Sequence, residues 1–160
     1  ENVMLTDDVV VKSLPAVRVA ELSGKAADYQ SGSIGPVISA LFGDLHARLQ
    51  TAGVPITGPA IAVYEDSPDG DGTVIVRATA PVNVDPSDDF DFTVRDLPAV
   101  ERAATVVHHG SMDQVDVVWQ ALGRWIDTNG ERTSGGAREQ TLEYTEDPAG
   151  WVTELQFPLR

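Results

Sequence analysis

Hydrophobic positions along this chain switch between two periods. Val9-Val10-Val11-Lys12-Ser13 and Phe92-Thr93-Val94-Arg95-Asp96 are β-like runs, each with one basic residue. Each leads into the same four residues, Leu14-Pro15-Ala16-Val17 and Leu97-Pro98-Ala99-Val100. Alternating stretches follow, from Val17 to Leu22 and from Val100 to Val107. Proline fixes φ and has no amide hydrogen for a ladder, so each copy reads as strand, turn, strand. The period then becomes helical. Val37, Ile38, Leu41, Phe42, Leu45 and Leu49 predict a helix that follows Gly35-Pro36 and stops at Gly53. Val115, Val118, Trp119, Leu122, Trp125 and Ile126 predict a second. Ser111 is its expected N-cap, Gln114 the capping-box partner, and Asn129-Gly130 its end.

The two series are copies of one unit. The turn recurs at an offset of 97 − 14 = 83, and the helix stop at 130 − 53 = 77. At the second offset Phe42 aligns with Trp119, Leu45 with Leu122, Leu49 with Ile126, Gly58 with Gly135 and Pro81 with Pro158. The closing run Val74 to Pro81 aligns in the same way with Trp151 to Pro158. The change of offset places a six-residue difference before the first helix, in the small and polar stretch Ala26 to Ser33. The fold class expected is therefore α+β: two pseudo-symmetric β-β-α-β-β modules with antiparallel sheets and a central ligand cleft. Residues 1–8 read as a linker or tail, and 9–160 as one ligand-binding domain. Half one covers about 9–81, an Asp-rich solvated linker 82–90, and half two about 91–160. Units this small should pack together about a pseudo-two-fold axis, and ligand sites favour such grooves.

Charge narrows the partners. Twenty-five acidic residues against 11 basic ones give a net charge of −14. This segment should repel a phosphate backbone and not itself bind nucleic acid. An acidic field favours cationic or neutral small molecules, unless the charge serves solubility alone. There are no cysteines, which excludes disulfides and zinc-thiolate sites. No apolar run is long enough to span a membrane, and the N-terminus lacks the basic and apolar regions of a signal peptide. A cytoplasmic location is the expectation. The chain does not begin with Met, so it is expected to be a piece of a longer protein.

Candidate chemistry lies where the copies differ. Glu139 corresponds to Ala62, Thr141 to Tyr64, and Glu154 to Arg77. Strand residues alternate faces, so Glu139 shares a face with Thr141, and Ala62 with Tyr64. That gives a pocket one charged wall, unless Glu139 faces solvent and pairs with Arg138. Glu154 either looks into the cleft, is solvated, or pairs with Arg77 across the axis. Tyr64, Trp119, Trp151 and Phe157 are candidates to stack on a flat or cationic ligand. Trp119 and Trp125 more often belong to the core face of a helix. Tyr29, before the first helix, is a candidate to close over a cleft. His108-His109 on one strand point to opposite sides, and no His, Cys or carboxylate cluster has metal-ligand spacing. No metal and no cofactor are expected. Gly70-Asp71-Gly72 reads as a hairpin turn, not a phosphate loop.

Taken together, the pattern resembles the GyrI-like, or bacterial effector-binding, domain family. The resemblance rests on Val9 through Ala20, on Trp119 through Gly130 (WQALGRWIDTNG), on Arg138-Glu139, and on Trp151 through Pro158. It implies tandem SHS2-like modules around a cleft. It also implies the C-terminal ligand sensor of a MerR-type or AraC-type transcription regulator that recognises lipophilic, often cationic, drugs and dyes. A central cleft glutamate is the family's usual cation-facing residue, and Glu139 holds the matching position. The sequence departs from the family at Thr141 and Met112, where Tyr is common. DNA would be contacted only through an upstream domain outside this chain, which is also where two copies would pair. Other members resemble gyrase inhibitors or hydrolases of strained cyclopropane rings. In a hydrolase Glu139 and Glu154 would be the catalytic pair.

Overall fold

In the computed structural model, residues 8–160 are described. The expected tail, residues 1–8, lies outside them apart from Asp8. The first half contributes β1 (Val10–Leu14), β2 (Val17–Ala26), α1 (Ser31–Ala52), β3 (Ile61–Asp66) and β4 (Val74–Pro81). The second contributes β5 (Thr93–Leu97), β6 (Val100–His109), α2 (Val115–Thr128), β7 (Ala137–Glu143) and β8 (Val152–Pro158). The α+β reading stands, with one correction of layout. All eight strands join one antiparallel sheet, in the order β1-β6-β8-β7-β3-β4-β2-β5. That order reads the same from either end once each strand is exchanged for its copy.

The strand–turn–strand units do not fold back on themselves. β1 pairs with β6 of the other half, and β5 pairs with β2. The reason is local. A two-residue hairpin needs positive φ at its first central residue, and proline is locked near −65°. No residue other than glycine has positive φ among the described residues. The links Pro15-Ala16 and Pro98-Ala99 therefore cannot close a tight hairpin, and each first strand crosses to the other half.

Both helices pack on one face of the sheet. Leu45, Leu49, Ala20, Ala78 and Ala80 make the core under α1. Leu122, Ile126, Ala104, Val106 and Leu155 make its counterpart under α2. The helix ends repeat bond for bond. The Gly53 and Val54 amides donate to the Gln50 and Leu49 carbonyls, and the Gly130 and Glu131 amides donate to those of Asp127 and Ile126. Gly53 and Gly130 have φ of 71° and 69°. A Cβ at Gly53 would meet nothing within 4 Å, so only the backbone resists a side chain there. Gly53→Ala should therefore cost about 1–2 kcal/mol, the strain of a left-handed alanine. Its urea midpoint should fall with an unchanged slope; an unchanged midpoint would refute this.

Several local expectations need correction. α1 starts at Ser31, not after Pro36, and keeps Pro36 inside it. Val19 and Ala103 pair with Pro81 and Pro158, an offset of 103 − 19 = 84 rather than 83, because β6 carries one extra residue opposite β1. Against the helix offset of 77 the difference becomes seven residues, two helical turns. The extra residues in the first half are thus mostly helix, not loop. Ser111 does accept from the Asp113 amide, but it caps a 3-10 turn, Met112–Gln114, that leads into α2. The stretch 82–90 is not simply solvated: Val82 is buried, and Val84 and Phe90 pack on the first core.

The sheet's other face carries a polar layer. Glu21 pairs with Arg77 at 3.0 Å and with Arg95 at 2.8 Å, and Glu154 pairs with Lys12 at 2.8 Å. Arg95 and Lys12 are equivalent in the repeat and come from the exchanged strands. Each therefore ties one half to the other.

Candidate ligand cleft

The site begins at the sheet's centre. Across the β3–β7 pair Ala62 faces Glu139, and Tyr64 faces Ala137. Ala62 and Glu139 are also equivalent in the repeat, so the pseudo-two-fold passes between them. One small and one acidic side chain share the axis, which leaves room for a carboxylate where two would repel. α1 and α2 stand to either side. The groove between them measures about 1610 Å³, larger than the ~300–1,000 Å³ of a usual small-molecule site.

Glu139 is buried on the floor, only 9% exposed. The Tyr64 hydroxyl donates to its Oε1 at 2.5 Å, and Trp119 Nε1 donates to its Oε2 at 2.8 Å. Burial pushes its carboxyl above the usual range, and the Asp116 charge adds to the rise. The Tyr64 and Trp119 bonds and the charge of His108 act in the other direction. Tyr64 is held well above the usual phenol value, by burial first and by the Glu139 charge second. The Trp119 ring meets Phe157 edge-on, with centroids 4.8 Å apart. Trp119 thus serves both the second core and the cleft, whereas Trp125 serves the core alone.

The structure brings Glu139, Tyr64, Trp119, Thr141, Tyr29, Trp151 and Phe157 together along this cleft. It does not bring Glu154 there. Thr153 and Phe157 of β8, and Trp151 just before it, face the cleft, so alternation turns Glu154 to the opposite side. There Lys12 and Gln156 hold it, each at 2.8 Å. Nor does Glu154 pair with Arg77, which binds Glu21 and Glu65. The Tyr29 hydroxyl donates to Asp66 at 2.7 Å, and burial with that carboxylate raises its pKa. Among the described residues, no group of three or more His, Cys, Asp or Glu converges as metal ligands. No helix among them is long and apolar enough to cross a membrane.

Residues 7–160 match the family described as a GyrI-like small molecule binding domain. The chain belongs to the GyrI-like family. No curated protein matches it. Among solved structures, the GyrI-like chain is similar to EcmrR in a complex with DNA, at 22% identity and a TM-score of 0.78. The match covers 95% of this chain but only 57% of that one. The separate C-terminal domain of EcmrR matches at 23% identity and a TM-score of 0.76, over 95% and 96% of the two chains. SAV2435, bound to tetraphenylphosphonium, matches at 11% identity and a TM-score of 0.70, over 95% and 93%.

Other residues line the GyrI-like cleft that the sequence did not single out for it. Asp116 reads there only as an acid in the first turn of a helix, where acids are common. Ser31 and Ile34 were hidden by the expected start of α1 after Pro36. Tyr144 lies just past β7 and stacks on Trp151, with ring centroids 5.0 Å apart. No periodicity marks it.

Proposed function

We propose that the cleft binds lipophilic cations, with Glu139 reading the positive charge. We infer that it does so as the sensor of a MerR-type transcription regulator in the cytoplasm. The observation that carries the ligand class is Glu139 itself. It is buried, and among the described residues no lysine or arginine pairs with it. A buried carboxylate without a counter-ion is costly. Tyr64 and Trp119 each satisfy one oxygen but bring no positive charge. A bound cation supplies that charge, while Trp119 and Phe157 offer ring edges and faces to its apolar groups. The net charge of −14 adds a long-range pull. The tetraphenylphosphonium bound to SAV2435 supports this ligand class, and the EcmrR–DNA complex supports the regulator role. DNA would then be read by a part of the protein outside these residues.

A calorimetric titration with tetraphenylphosphonium tests the ligand class. Binding in the micromolar range is expected, and no heat at millimolar ligand would overturn it. The regulator role requires a DNA-binding region encoded upstream in the same reading frame. It fails if none is there.

Tyr64→Phe probes how the floor is tuned. It removes a donor that favours the ionised carboxyl, so Glu139 should hold its proton to still higher pH. Affinity for tetraphenylphosphonium at neutral pH should drop about tenfold, the worth of one hydrogen bond to a charged group. The pH midpoint of binding should move up. An unchanged midpoint would refute the assigned role of the phenol.

A further inference from the structure

The halves differ most at the start of their helices. α1 has 22 residues and α2 has 14, and the extra turns of α1 line the cleft through Ser31, Gly32 and Ile34. The residue before α1, Gln30, makes no side-chain capping bond. Ser31 instead donates its backbone amide, at 3.2 Å, and its hydroxyl, at 2.8 Å, to Oδ2 of Asp116. Asp116 lies in the first turn of α2, in the other half, and lines the same cleft. One carboxylate therefore caps the first helix from across the ligand space. Behind it, the Tyr29 hydroxyl ties the preceding loop back to Asp66 of its own half.

We propose that Asp116 and Ser31 form a latch that gates the cleft. The bond holds the extra turns of α1 against α2. A ligand reaches Glu139 when Asp116 releases Ser31, and the latch closes again behind it. The latch rests on the reading of the cleft as a ligand site, and within that cleft it is this contact that limits entry and exit. A gate changes the association and dissociation rates together. A residue that only holds ligand changes dissociation.

Ser31→Pro is the informative variant. Ser31 is the first helical residue, where proline is well tolerated, and Gln30 already has the extended backbone that a following proline requires (φ −68°, ψ 144°). The substitution deletes both donors and leaves the charge of Asp116 in place. Stopped-flow tryptophan emission with tetraphenylphosphonium should show both rates about tenfold faster, the factor expected for bonds to a charged acceptor. The dissociation constant should stay within about threefold, the sign of a barrier lowered equally from both sides. Unchanged rates, or a rise in dissociation alone, would overturn the gate.

Hydrogen exchange in the unliganded protein tests the latch without any ligand. Amides in the first turns of α1 should exchange about tenfold faster in Ser31→Pro and in Asp116→Ala alike, as local opening predicts. Those around Leu45 and Leu49 should not change. Unchanged exchange in Asp116→Ala overturns the latch whatever tetraphenylphosphonium does. Faster exchange with no binding of that cation to the wild type would sink the ligand class and support the latch.

Discussion

Glu139→Gln should weaken tetraphenylphosphonium binding by about 30-fold and leave a neutral analogue, triphenylphosphine oxide, within about twofold. By Coulomb's law a cation centre about 5–6 Å from the carboxylate, at an effective dielectric near 20, gains about 3 kcal/mol. Desolvation of the ligand takes back part of this, which leaves about 2 kcal/mol. Glutamine keeps the volume; its oxygen can accept from Trp119 and its amide nitrogen can donate to the Tyr64 hydroxyl, so the floor of the cleft is preserved while its charge is removed. The same carboxylate fixes the pH dependence. Burial raises the Glu139 carboxyl above its usual pKa. Protons then compete with the cation, and affinity should fall as pH drops through that raised value. The neutral analogue should show no such trend. Stability carries the opposite sign. The folded protein holds this proton to higher pH than the unfolded chain does, so ionised Glu139 costs folding free energy. That cost appears as pH rises from the ordinary carboxylate value through the raised one. Glu139→Gln should thus melt no lower than the wild type at neutral pH. Equal loss for both ligands, or none for the cation, would remove Glu139 from the role of charge reader.

Much of this site was readable because the chain describes its own symmetry. Aligning the halves at an offset of 77 set Glu139 against Ala62, and the fold pairs those two residues across its axis. Residues that alternate from Glu139 and Tyr64 followed without further information. Glu154 was not readable in the same way. Residues Thr153 to Gln156 are buried on both faces of β8, so burial does not tell the two apart. Alternation separates it from Thr153 and Phe157, and what holds it on the far face is Lys12, delivered by β1 from the other half. The start of α1 was likewise out of reach. Gly35-Pro36 looks like a boundary locally, but Ser31 is capped by Asp116, 85 residues away. Strand exchange, by contrast, is legible in the sequence. A Pro-Ala link cannot make a two-residue hairpin, and that fact alone separates β1 from β2.

That exchange has the largest predicted consequence for stability. Cut after Pro86, the segment 9–86 keeps β2, β3 and β4 under α1. It loses β5 from one side of β2, β7 from beside β3, and the partner of its own β1. Two sheet edges are thereby bared, and a fourth strand is left with nothing to pair. The loss reaches the core as well. Leu97 of β5, only 2% exposed, packs with Val19, Ile61 and Val63 on the face away from the helices, and it leaves with the second half. Glu21 loses Arg95 and keeps only Arg77, and in the other fragment the buried Glu154 carboxylate loses Lys12. A segment of this size has only a few kcal/mol of stability to lose. Neither 9–86 nor 87–160 should therefore melt cooperatively or show native near-UV circular dichroism alone. Equimolar mixing should restore both signals, because every missing strand is present in the other fragment. A cooperative transition in 9–86 by itself would mean that the exchanged strands do not hold the halves together.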